Sequence, residues 1–137
     1  MIPNIIHQLW IGDVSAPSKH MNTWKNKNKQ MDYIRWNESE IIKRNMKFQC
    51  QEKIDDMTEI NGKADIMRWE ILYHYGGVLV PPSFLCLRNL EQLCDIQDGG
   101  KPFIIENVNY NGESQFTPDP YFIGAPKKCE LIEEYVD

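Results

Sequence analysis

Lys63-Ala64-Asp65-Ile66-Met67-Arg68-Trp69-Glu70-Ile71-Leu72-Tyr73-His74-Tyr75-Gly76-Gly77-Val78-Leu79-Val80-Pro81-Pro82-Ser83 is the stretch on which the fold turns. Ala64, Met67, Ile71 and Leu72 recur at helical spacing, which predicts a helix with one apolar face running from near Asn61 to the glycine pair. Gly76-Gly77 is expected to supply a left-handed C-terminal cap. Val78-Leu79-Val80 then reads as a short buried strand. Pro81-Pro82 re-shapes the loop after that strand, because proline fixes φ, lacks an N–H and pushes the residue before it towards extended geometry.

On the N-terminal side, Ile2 to Ile11 is an apolar, β-branched run broken by His7 and Gln8 and ended by Gly12-Asp13, which reads as a buried strand. Pro17 opens a helix through about Asn26, and Tyr33 to Trp36 gives a second strand. Asn37 with Glu40 three residues later is a capping-box-like start for a helix to about Met46, and a short helix is expected from Gln51 to Met57. Downstream, Leu85 to Leu93 reads as an edge segment and short helix, Phe103-Ile104-Ile105 as a strand, and Asn107 to Pro120 as a polar, Gly/Pro/Asn-rich loop. Alternating strands and helices predict an α/β sandwich with a largely parallel sheet, whose ligands bind outside the carboxyl ends of the strands. That end is where Pro81-Pro82-Ser83 falls. The expected core is Ile5, Ile6, Leu9, Ile34, Met67, Ile71, Leu72, Val78, Val80 and Ile104.

A length of 137 residues predicts one domain over 1–137 with a single sizeable core. The net charge of −5, with acids and bases interspersed and no basic run, lacks the footprint of nucleic-acid binding. Cys50, Cys86, Cys94 and Cys129 are widely spaced, without a CxxC pair or a nearby histidine set, which argues against structural zinc and for reduced thiols. The N-terminus enters a core-type strand with no signal-peptide pattern, and no apolar run approaches the roughly 20 residues of a membrane span. A cytoplasmic protein of a bacterium or of a virus-infected host cell is the expectation from these features and from the Asn-, Lys- and Ile-rich composition.

The 63–78 segment resembles the glycosyltransferase family whose sugar-binding region carries a DXD motif, the group that includes mannosyl- and galactosyl-type transferases and the catalytic domains of large glucosylating toxins. Ile2-Pro3-Asn4-Ile5-Ile6-His7-Gln8-Leu9-Trp10-Ile11-Gly12 is similar to the family's opening strand. Trp24 followed by Tyr33-Ile34-Arg35-Trp36-Asn37 is similar to its next characteristic segment, and Tyr121-Phe122-Ile123-Gly124-Ala125-Pro126-Lys127 resembles a third. The resemblance implies a glycosyltransferase-A-like, Rossmann-like sandwich, short or truncated on its C-terminal side. It also implies an acidic triplet just past the glycine pair, and here Pro81 and Ser83 stand where the two aspartates are expected. Pro120 likewise replaces an expected asparagine, so two elements of the site depart together.

By the same resemblance Trp10 stacks on the nucleotide base, while Asp65 and Arg68 reach the donor sugar and its phosphates. The residues alone allow another reading: Trp10 as a core tryptophan, and Asp65 with Arg68 as an i,i+3 helix ion pair contributing a few tenths of a kcal/mol. His7 reads as a satisfied core histidine, and His20 and His74 as surface or capping residues.

In a metal-dependent transferase the paired carboxylates hold a cation that bridges the donor diphosphate. Proline offers no side-chain ligand and serine only a neutral oxygen, so no cofactor is expected, with Mn²⁺ or Mg²⁺ held only where another carboxylate compensates. Asp95, Asp98, Glu106, Glu113 and Asp119 are the candidates for that, and Lys127 or Lys128 for a metal-free diphosphate clamp. These features are compatible with three functions: a nucleotide-sugar-binding domain with impaired transfer, an active metal-independent transferase, or a structural or assembly protein reusing the fold, for example in a large virus. A nucleotide-diphosphate sugar is the expected small-molecule partner, and a partner chain or second copy is left open.

Overall fold

The computed structural model describes the backbone of residues 2–82, 86, 103–108, 114–129 and 132–133, and the side chains of those outside 103–122. The elements are β1 (Ile5–Leu9), α1 (Ser18–Lys27), β2 (Asp32–Trp36), α2 (Glu38–Lys43), α3 (Gln51–Asp56), α4 (Ile60–Tyr75), β3 (Gly77–Leu79), β4 (Phe103–Val108) and β5 (Ser114–Ala125). They build one five-stranded sheet in the order β2-β1-β3-β5-β4. The first three strands are parallel, and β5 and β4 extend the sheet antiparallel beyond β3.

Period-2 alternation assigns the faces. Ile6 on β1 and Val78 on β3 pack with Trp24 of α1 and with Met31 on one side. Leu9, Ile34 and Trp36 pack on the other side with Ile54 of α3 and with Ala64 and Ile71 of α4. A third cluster joins Leu72 of α4 to Leu79, Ile123 and Ala125. Because helices cover both faces, β1 has no solvent side, and it reads as an apolar run for that reason. Ile6, Leu9, Ile34, Ile71, Leu72, Val78 and Val80 are buried as expected. Ile5 and Met67 are half-buried against the second cluster, and the side chain of Ile104 lies outside the described residues.

The two polar residues of β1 are fully buried, and each finds partners. His7 donates Nε2–H to the Gly76 carbonyl at 2.8 Å and accepts from Trp36 Nε1 at its Nδ1 at 3.0 Å. Burial lowers its pKa to about 4, against the Gly76 hydrogen bond, so the ring stays neutral, as this pairing requires. Gln8 faces the other side. It accepts from the Tyr33 hydroxyl at 2.6 Å and donates to the Pro81 carbonyl at 3.3 Å. Burial, opposed by the Arg35 charge, pushes the Tyr33 hydroxyl up to about 12 and keeps it a donor.

Two local expectations differ from the structure. Gly76 ends α4 with φ 68° but ψ 178°, so the chain leaves the helix extended and enters β3 at once, without a left-handed turn. A Cβ on Gly77, at φ +109°, would lie 2.5 Å from the Ile5 carbonyl, which is why this close crossing takes glycine. The stretch expected as a loop over Asn107–Pro120 contributes the end of β4 and the first half of β5. Thr117 and Pro118 pair with Asn107 and Glu106, whereas β3 pairs with Ile123–Ala125. The first half of β5 therefore runs past the end of β3 and, among the described residues, has a partner strand on one side, an edge position where proline is tolerated. Pro120 falls inside the register shift between Ile104 and Glu106. The segment expected over Leu85–Leu93 lies outside the described residues, Cys86 apart.

Candidate functional site

In the order β2-β1-β3 the chain winds first to one side of β1 and then to the other, which makes the β1/β3 carboxyl edge the topological switch point where open α/β sheets bind ligands. A cleft of about 350 Å³ opens there. Trp10, Asp13 and Val14 from the turn after β1 form one wall, Ile60, Asn61, Ala64 and Arg68 from the first turns of α4 form the other, and Pro82 lines it beyond β3. A second cavity of about 220 Å³ shares Trp10 and Gly12 and is otherwise lined by Ala16 and the polar Arg35, Asn37, Glu38 and Ser39. Trp10 thus stands between the two.

The orientation of Trp10 is fixed. Its backbone N–H continues the β1–β2 ladder to the Trp36 carbonyl at 3.0 Å, and its indole N–H donates to the Val14 carbonyl at 2.8 Å, closing the turn on itself. Gly12, at φ 100°, lets the chain double back, and its N–H donates to Glu38 Oε2 at 2.8 Å. With the indole edge so engaged, the half-buried Trp10 lines both cavities. The exposed side chains of Val14 and Ile60, 74% and 48% accessible, form an apolar rim around the opening.

Arg68 is largely buried and lines the cleft; its guanidinium donates to Asp65 Oδ1 one turn earlier, and Asp65 itself is more exposed. The structure therefore brings Trp10 and Arg68 to one cleft, with Asp65 attached to it through Arg68. The helix ion pair that the i,i+3 spacing allowed is formed, and it sits at the cleft wall.

The carboxylates that the resemblance implies at 81 and 83 are absent, and the structure tests whether the residues present fit a cation. Pro81 is buried, carries no ligand atom in its side chain, and its carbonyl oxygen is engaged by Gln8. Pro82 lines the cleft and carries no ligand atom in its side chain. Ser83 lies outside the described residues. The whole sequence contains no Asp-X-Asp triplet, and among the described residues no cluster of three or more His, Cys, Asp or Glu could hold a metal ion. Positions 81 and 82 do not fit a hard cation, which takes several oxygens, usually including carboxylates.

The substitutes considered from sequence fare unequally. Lys127 and Lys128 are at the wrong end: β5 runs antiparallel to β3, so Ala125 pairs with Gly77, the amino end of β3, and the residues after it lie away from Pro82. Lys128 instead reaches His74 Nδ1 at 2.8 Å and lies over the Tyr73 ring. His74, whose pKa is lowered by burial and by Lys128, is thus a packing residue of that far end, and His20 is exposed. Asp95, Asp98 and Glu113 lie outside the described residues, as do the side chains of Glu106 and Asp119. Sequence reasoning missed Gln8 and Tyr33, which fasten the cleft end, and Gly12 with Glu38, which shape the Trp10 turn. The only signal for the first pair is two polar-tipped positions inside apolar strands.

No helix among the described residues is long and apolar enough to cross a membrane. Residues 16–98 match the family model described as the glycosyltransferase sugar-binding region containing the DXD motif. An uncharacterized glycosyltransferase of Acanthamoeba polyphaga mimivirus is 36% identical over 101 residues, covering 66% of this chain and 39% of that protein. Among solved structures, the PaToxG glycosyltransferase superposes with a TM-score of 0.66 at 14% identity, over 99% of this chain and 59% of that one, a likeness of fold. The chain thus spans less than two thirds of each of these relatives. With the fold, the switch-point cleft and the matched residues in agreement, the chain belongs to the glycosyltransferase family defined by the DXD-containing sugar-binding region.

Proposed function

We propose that this chain binds a nucleotide-diphosphate sugar in the Trp10–Arg68 cleft without a cation at the end of β3, and that its capacity for sugar transfer is impaired. The observation that carries the reading is the placement of Trp10 and Arg68 on one switch-point cleft that Pro82 also lines at its β3 end. A fixed aromatic face suits a nucleobase, because stacking tolerates the base and excludes water. The Arg68 guanidinium offers a planar donor fork to phosphate or sugar oxygens, and the exposed Asp65 carboxylate accepts from sugar hydroxyls.

Transfer needs more than binding. As the nucleotide leaves, charge grows on its diphosphate, and electrostatic stabilisation of that charge is usually the largest catalytic contribution. Arg68 is the cationic side chain lining this cleft among the described residues, and Asp65 already shares its charge. With Pro81 and Pro82 at the β3 end, the charge that a metal supplies elsewhere in the family has no replacement there among the described residues. An active metal-independent transferase would show itself by product formation, and a purely structural role by the absence of any nucleotide-sugar binding.

The test is a fluorescence titration with UDP- and GDP-sugars. Binding is expected to quench the tryptophan emission, and Trp10→Leu is expected to abolish the quench and weaken affinity by about 1–3 kcal/mol. An unchanged quench and affinity in that variant would remove Trp10 from the site.

A further inference from the structure

We infer that the outer face of α1 is a docking surface for an anionic lipid bilayer. The inference is independent of the nucleotide-sugar reading, because the residues of α1 do not line the Trp10–Arg68 cleft.

Charge is unevenly spread along this chain. Residues 14–31 hold Lys19, Lys25, Lys27 and Lys29 and no acidic residue, although the whole sequence has 20 Asp and Glu against 15 Lys and Arg. Single asparagines separate the last three lysines, so the sequence shows no basic run, and α1 with the turn after it gathers them. All four are exposed, with Asn22, Asn26 and Gln30 among them, whereas Met21, Trp24 and Asn28 form the buried side. Helix stability explains only part of this pattern. Lys25 and Lys27 lie in the last turn, where cations complement the helix dipole, but Lys19 lies in the first turn, where a cation is unfavourable and no acidic residue offsets it.

The chemistry of the face selects the partner. Residues 14–31 contain no arginine, phenylalanine or tyrosine, and their tryptophan, Trp24, is turned inward at 3% exposure. Nucleic-acid surfaces use guanidinium forks and stacking rings, and protein interfaces are depleted in lysine. A bilayer with anionic headgroups requires neither fork nor ring, since lysines on flexible stems respond to its diffuse surface potential while their ammonium groups stay hydrated. Val14, 74% exposed and four residues before α1, adds an aliphatic side chain of the kind that enters the headgroup layer. The same surface potential repels the acid-rich remainder of the chain, which favours contact through α1.

Each lysine near an anionic surface raises the partition coefficient roughly fivefold, so three together contribute about a hundredfold. The test is co-sedimentation of the whole chain with vesicles of phosphatidylcholine alone and of equimolar phosphatidylcholine and phosphatidylserine. Binding is expected on the mixed vesicles in about 0.1 M salt and is expected to be lost at about 1 M, where the screening length falls from about 10 Å to about 3 Å. The variant Lys19→Gln, Lys25→Gln, Lys27→Gln is expected to partition about a hundredfold more weakly. The variant Lys43→Gln, Lys47→Gln, Lys53→Gln removes the same charge from exposed positions on and between α2 and α3, and is expected to bind nearly as the wild type does.

No binding to the mixed vesicles, or equal binding to neutral ones, overturns the inference. So does undiminished binding of the α1 variant with its helix content intact by circular dichroism, because α1 is then not the contact. Equal losses in the two variants overturn it as well, since net charge rather than this face would be responsible. Tighter binding of the wild type to duplex DNA than to the mixed vesicles at the same salt overturns the bilayer as the partner.

Discussion

Gln8 donates its side-chain amide to the carbonyl oxygen of Pro81 at 3.3 Å, joining residues 73 positions apart in the chain. Its neighbour His7 grips the Gly76 carbonyl at 2.8 Å. One dipeptide of β1 therefore holds both ends of the segment that carries β3. The Gln8 tie fastens the loop that closes the cleft, in the place where the family's metal-binding carboxylates are expected.

Gln8→Leu should therefore lower stability by about 1–3 kcal/mol, since it strands the buried Pro81 carbonyl and removes the acceptor of the Tyr33 hydroxyl. Urea unfolding checks this: the midpoint falls while the slope is kept. Adding Tyr33→Phe should bring little further loss, because the two groups share one hydrogen bond. Fully additive losses would mean that the Tyr33–Gln8–Pro81 chain is not a unit.

His7 sets an acid limit. Its folded-state pKa, about 4, lies below the ordinary 6.5, so as pH falls the unfolded chain takes up the proton first. Its contribution is complete above pH 6.5 and is lost between there and pH 4, at a slope approaching roughly 1.4 kcal/mol per pH unit. His74, lowered by burial and by Lys128, acts in the same direction. The difference in unfolding free energy between the wild type and His7→Gln, followed from pH 8 to pH 4, should carry that slope. A flat difference would show that His7 takes up its proton alike in the folded and unfolded chains, so that burial does not lower its pKa.

The double variant Pro81→Asp, Ser83→Asp restores the acidic pattern that the resemblance implies. If the rest of the cleft is intact, it should bind Mn²⁺ and gain a cation-dependent increase in nucleotide-sugar affinity. Calorimetry with and without Mn²⁺ measures this. A folded double variant that takes neither cation nor nucleotide sugar would show a cleft altered well beyond its missing triplet, which favours a structural role.

The local signals that survived folding are those in which one residue type and its period suffice. α4 was legible from Ala64, Ile71 and Leu72, β1 from its apolar run, and the Asn37 cap from its spacing to Glu40, whose N–H does donate to Asn37 Oδ1 at 2.8 Å. The Glu40 side chain pairs with Arg44. The first half of β5 was illegible because Pro118 and Pro120 are turn residues by local preference, and only pairing to β4 makes a strand of them. The place of Lys127 and Lys128 was illegible because it depends on the antiparallel sense of β5, a property of topology that no local pattern encodes. The Trp10–Arg68 cleft was anticipated by resemblance, whereas its fastening through Gln8 depends on a contact between distant segments.

The most direct test of cation-free nucleotide-sugar binding is calorimetric titration of the wild-type chain with UDP- and GDP-sugars, once in Mn²⁺ and once in chelator. Saturable one-site binding of the same affinity is predicted in both conditions, because in the proposed reading Trp10, Asp65 and Arg68 supply the contacts and, among the described residues, the side chains of Pro81 and Pro82 offer no cation ligand. Binding that appears only with Mn²⁺, or no binding under either condition, would contradict it.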